Sequence, residues 1–125
     1  MSHDAFGLEL PSRAEHLGTA RSFAAAVARH YTVSGESVED LKIAVSEACV
    51  DALVAGEPIH LRVQDEGRSI AFAVDAPEAG EAPDRAALDE LGAPARLELI
   101  RSLFPDTAMA GAGRRRAIRF SLPYG

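Results

Sequence analysis

An α+β fold, a two-layer sandwich with a mostly antiparallel five-stranded sheet and helices on one face, is what this sequence predicts. Three observations predict it. Segments with period-2 alternation of apolar residues come in neighbouring pairs rather than singly between helices, which excludes a doubly wound parallel sheet. Two long stretches, residues 12–31 and 37–56, instead carry apolar residues at spacings of three and four. A length of 125 residues, 47% of them hydrophobic, is that of one domain (1–125) with a core of its own.

The elements follow in order. "FGLEL" alternates Phe6, Leu8 and Leu10, the period of a short strand. "PSRAEHLGTARSFAAAVARHY" begins a helix with Ser12 and Glu15 in capping-box register, and Leu17, Ala20, Ala24, Val27 and Tyr31 form its apolar stripe. Ser37 is expected to open a second helix, which Gly56 and Pro58 close. Leu41, Val45, Ala48 and Ala52 make one stripe of that helix, while Ile43 and Val50 lie opposite. A helix with apolar residues on two sides is expected to be covered twice, by a sheet and by a second helix or subunit.

"PIHLRVQDEGRSIAFAVDA" is a hairpin: Ile59, Leu61 and Val63 alternate, Asp65-Glu66-Gly67 turns, and Ile70, Phe72 and Val74 alternate again. Residues 76–83 form a Pro/Gly/Glu loop, 84–92 a short helix, and "PARLELIRSLF" a further helix with Pro94 in its first turn. "TAMAGAGRRRAIRFSLPY" closes the chain with two strands, the second turning Ile118, Phe120 and Leu122 to the core.

Composition narrows the function classes. A net charge of −6 suits neither non-specific nucleic-acid binding nor an anionic membrane. The basic run "GRRRAIR" (113–119) reads as an arginine-lined edge strand, which discourages sheet-to-sheet aggregation. Cys49, the single cysteine, reads as a packed thiol, and the four histidines lack metal-ligand spacing, so no metal site is expected. No apolar run approaches a membrane span and no leader opens the chain, giving the expectation of a cytoplasmic protein.

One stretch resists a purely structural account. "VSEACVDAL" places Glu47 and Asp51 one helical turn apart, where like charges repel by roughly 0.2–0.5 kcal/mol. A cation or a basic partner is expected opposite them.

The element order, with "LELPSRAEHLGTARSF" and "AVSEACVDAL" inside it, resembles the histidine-kinase-like ATP-binding fold. More narrowly it resembles the anti-sigma-factor serine/threonine kinases of bacteria, and the resemblance spans almost the whole chain. By that resemblance Glu47 takes the place of the general base, Asp51 that of the Asn that ligates Mg²⁺, and Asp75 that of the adenine-reading Asp. Arg21 matches an arginine that contacts the protein partner, and Arg13 and Leu17 join it on that surface. The implied partners are a sigma factor and an anti-anti-sigma protein of the STAS type, together with a second copy of the chain in a homodimer.

Departures from the family pattern cluster on phosphate-binding elements. Where the family has D-x-G-x-G, this chain has Asp75-Ala76-Pro77-Glu78-Ala79; where it has G-x-G-x, the chain has Pro94-Ala95-Arg96-Leu97. A Gly-Thr near the end is Gly113-Arg114. Backbone N–H groups reach phosphate oxygens through glycines, and proline has no N–H to offer. The expectation is therefore a partner-binding regulator with a vestigial site and no cofactor, the alternative being a kinase that uses Mg-ATP through Glu47. Arg96, standing where a lid glycine belongs, is the expected counter-ion of Asp51.

Overall fold

Glycine at the Asp65–Gly67 turn, with φ of 94°, lets the chain reverse between two strands of seven residues. They are β2 (Ile59–Asp65) and β3 (Ser69–Asp75), antiparallel with Val63 opposite Phe72. In the computed structural model, which describes residues 4–31, 33–75, 92–112 and 115–124, this hairpin is the middle of the sheet. β1 (Ala5–Leu10) lies outside β2, β5 (Arg115–Pro123) pairs with β3, and β4 (Ala108–Ala112) lies outside β5. The order among the described residues is thus β1-β2-β3-β5-β4, antiparallel throughout.

Alternation decides what each face carries. Ile59, Leu61, Val63, Ile70, Phe72, Val74, Ile118, Phe120 and Leu122 are all at most 5% exposed and share the face against the helices. Phe72 and Phe120 stack at 5.7 Å, and Phe104 tilts onto Phe120 at 4.9 Å. Each such side chain stabilises the fold by about 1.5–3 kcal/mol relative to leaving it in water. The other face carries His60, Arg62, Gln64, Ala71, Ala73, Asp75 and Arg119, the in-between positions of the same strands.

The α-helices among the described residues are α1 (Leu17–His30), α2 (Gly35–Ala55) and α3 (Ala93–Leu103). α1 packs against α2, and the small residues Ala20, Ala24 and Ala28 of the first and Ala44, Ala48 and Ala52 of the second are each 0% exposed. The predicted stripe of Leu41, Val45, Ala48 and Ala52 is fully buried, whereas Ile43 is 45% exposed and Val50 half-buried. The double covering expected of α2 does not extend to Ile43.

Helix starts differ from the sequence reading. Ser12 and Glu15 do not build a capping box. Residues 14–16 wind as a tight 3-10 turn, Arg13 holds its N-cap position without a side-chain capping bond, and α1 begins only at Leu17. α2 begins earlier than Ser37, because the Ser34 hydroxyl caps it by accepting from the Ser37 N–H at 3.1 Å. Its far end is as expected: Gly56, at φ 74°, takes the left-handed conformation that a residue with a side chain adopts only under strain.

The basic run is also placed differently. β5 is flanked by β3 and β4, so its arginines line an interior strand, and Arg119 pairs with Glu66 at 2.6 Å. The predicted loop 76–83, nearly all of the predicted helix 84–92 and the Gly113-Arg114 pair lie outside the described residues. No helix among the described residues is long and apolar enough to cross a membrane.

Candidate functional site

α2 carries the chemistry. Its inward stripe fixes the rotation of the helix on the sheet, which leaves Lys42, Ile43, Ser46 and Glu47 towards α1 and Asp51 towards α3. Along the first of these borders lies an open depression of about 430 Å³, lined by Arg21, Glu39, Lys42, Ile43, Ser46 and Glu47. Arg21 is half-buried there. Its Nη1 donates to the Ser46 hydroxyl at 2.9 Å. Lys42 reaches Glu39 at 3.3 Å, one helical turn back.

Along the second border Arg96 comes across from the first turn of α3. Its Nη2 donates to the Asp51 carboxylate, and the two side chains are 3% and 16% exposed. This is the counter-ion that the two helix carboxylates called for. Burial lowers the Arg96 pKa, and the negative charge of Glu47 opposes that shift by favouring the charged guanidinium. One buried cation thus serves both carboxylates: Asp51 by contact, Glu47 through its field.

Asp75 is not brought to this group. It lies two residues beyond Ala73, which pairs with Arg62, so its side chain sits on the face of the sheet away from α2. There it pairs with Arg62 at 3.3 Å, both groups well exposed. Of the remaining predicted partner residues, Arg13 is exposed and paired with Glu15 at 3.2 Å, while Leu17 packs half-buried against the core. Cys49 is fully buried beneath this surface. Burial pushes its thiol up to about 12, against the pull of Arg21, so it stays protonated and inert near neutral pH.

Glu39, Lys42 and Ser46 are the members of the site that sequence reasoning missed. Ser46 was visible inside the "VSEA" motif, but its partner is 25 positions away on another helix, and no local pattern announces that contact. Among the described residues no three His, Cys, Asp or Glu side chains converge as a metal site.

A family model described as the histidine kinase-like ATPase domain matches residues 10–115. Among curated proteins, a serine-protein kinase RsbW of Oceanobacillus iheyensis is 40% identical over 52 residues, covering 42% of this chain and 33% of that protein. A serine-protein kinase RsbW of Listeria monocytogenes is 32% identical over 84 residues, 54% of each chain. The chain spans about a third to a half of the length of the curated relatives it matches.

Proposed function

We propose a function from one premise: the chain belongs to the histidine kinase-like ATPase domain family. Within that family it is a regulator of the anti-sigma-factor type, which binds a sigma factor, a STAS-domain antagonist, or both, and does so without nucleotide turnover. Its relatives named as serine-protein kinases support the type, and the open α1–α2 depression with Arg21 and Ile43 supports a protein partner.

The observation that carries the no-nucleotide part is Arg96 on Asp51. Asp51 stands where a metal-binding side chain is expected, and a divalent ion there needs the oxygen that the guanidinium holds. The residues present do not fit Mg-nucleotide at this point, and the replaced lid glycines agree with that. Glu47 is then a base with no phosphoryl group beside it. A second reading, a protein kinase with Glu47 as general base, draws on the half-exposed position of Glu47 at the depression.

The test is to mix the purified chain with each sigma factor and STAS protein of its own cell, with and without Mg-ATP, and follow complexes by size-exclusion chromatography. A complex that forms equally well without nucleotide is the expected result. Phosphorylation of a STAS protein, or a clear rise in melting temperature with ATP, would establish the kinase reading instead; a ligand at 100 times its Kd adds about 2.7 kcal/mol.

A further inference from the structure

We infer that Arg96 is a built-in cation: the chain's own guanidinium holds the place of a divalent ion against Glu47 and Asp51, and its removal turns that pair of carboxylates into a divalent-cation site. This rests on the reading above that the groove holds no nucleotide.

The geometry supplies the argument. Two carboxylates one turn apart on α2 face one positive charge delivered by a different helix, and that charge is buried, with a side chain 3% exposed. The guanidinium does for Asp51 what a hard cation would do: it supplies positive charge to a carboxylate oxygen at hydrogen-bonding range. It differs in two respects. It cannot dissociate, because the chain holds it at a very high local concentration. It also fastens α3 to α2. The first turn of α3 has Gly92 at its N-cap and Pro94 just inside, and the Arg96 N–H donates to the Gly92 carbonyl at 3.0 Å. Arg96 anchors that turn from one side, while Ile100 and Phe104 anchor the following turns in the core. The spacing between α2 and α3 is then fixed without any ligand.

Mn²⁺ tests the inference, because its paramagnetism broadens nearby amide signals. The experiment uses the full chain as wild type and as Arg96→Met, which keeps the length of the stem and removes the charge. Wild-type amides at positions 47–51 should be indifferent to millimolar Mn²⁺. Arg96→Met should show broadening centred there, with affinity at least tenfold above wild type, and Arg96→Met/Asp51→Asn should lose it again. Arg96→Lys, which keeps a charge on a shorter reach, should bind Mn²⁺ less well than Arg96→Met.

If Arg96→Met is only partly folded, Mn²⁺ should restore its far-ultraviolet signal, and failure to restore it overturns the inference. A folded Arg96→Met that ignores Mn²⁺ overturns it too, as does wild type that binds Mn²⁺ at these residues. ATP binding by the wild type would instead overturn the functional reading, so the two failures are distinguishable.

Discussion

Arg21 crosses from α1 to donate a hydrogen bond to Ser46 on α2 at 2.9 Å, tying together the two helices that border the open depression. The contact makes Arg21 structural as well as available to a partner. Arg21→Ala should cost about 0.5–1.5 kcal/mol in urea unfolding, the net value of one such bond. Arg21→Glu should cost more, because Glu47 lines the same depression. A partner-binding defect in the Glu variant is therefore informative only beside the Ala variant, and unchanged stability in both would show that the bond to Ser46 contributes nothing.

Asp51→Asn removes the charge that compensates a buried guanidinium. The variant should be destabilised by roughly 1–3 kcal/mol, equally in Mg²⁺ and in EDTA. A loss confined to the Mg²⁺ samples would mean that Asp51 works as a metal ligand in the wild type.

Alkaline pH should expose two groups that the fold keeps protonated. Burial pushes Cys49 from 9.0 to about 12, and the hydroxyl of Tyr124, donating to Asp65 at 2.5 Å, is likewise raised from 10.0 to about 12. The unfolded chain loses these protons at lower pH than the folded one. Their contribution is whole below pH 9 for the thiol and below pH 10 for the phenol, and it drains away as pH rises towards about 12. Cys49→Ala/Tyr124→Phe should show a shallower decline of unfolding free energy between pH 9 and 12 than wild type. Equal slopes would show that neither group is linked to folding.

Core and surface substitutions should separate cleanly on α2 and the sheet. Phe120→Ala, which empties the stack with Phe72 and Phe104, should cost about 3–5 kcal/mol. Ile43→Ser, at a side chain 45% exposed, should stay within about 0.5 kcal/mol. The same Ser variant should weaken partner binding if the depression is the docking surface, and a wild-type affinity would place the partner elsewhere.

Much of the fold was legible because alternation and helical spacing are local signals. Ile59 to Val63 and Ile70 to Val74 announced a hairpin, and those residues form β2 and β3, paired antiparallel. Helix starts were less legible: Ser34 and Ser37 are equally good caps on paper, and only the backbone turn decides between them. Strand order was not legible either, since nothing in "GRRRAIR" states that β4 will lie outside β5. Asp75 was assigned by its position in a motif, but one step of strand parity carries it to the opposite face from Val74. Arg96 was found from two clues together: two like charges that need a cation, and an arginine standing where the family pattern has a lid glycine. The contact of Arg21 with Ser46 was not legible, because its partner is a hydroxyl, which leaves no charge imbalance to notice.

The sheet order also bears on how the molecule assembles. β2 and β3 meet through a short turn, so their ladder closes at small entropic cost, whereas β1 must find β2 across the whole of α1 and α2. Until those helices have docked on each other, the two ends of that long loop have nothing to bring them together. β1 should therefore be the late arrival in refolding. Pulse-labelled hydrogen exchange should find its amides protected after those of β2 and β3, and simultaneous protection would point to a single concerted closure. A strand secured last is also the first to be released, which makes the β1 edge the place where a destabilised copy first bares an open ladder to its neighbours.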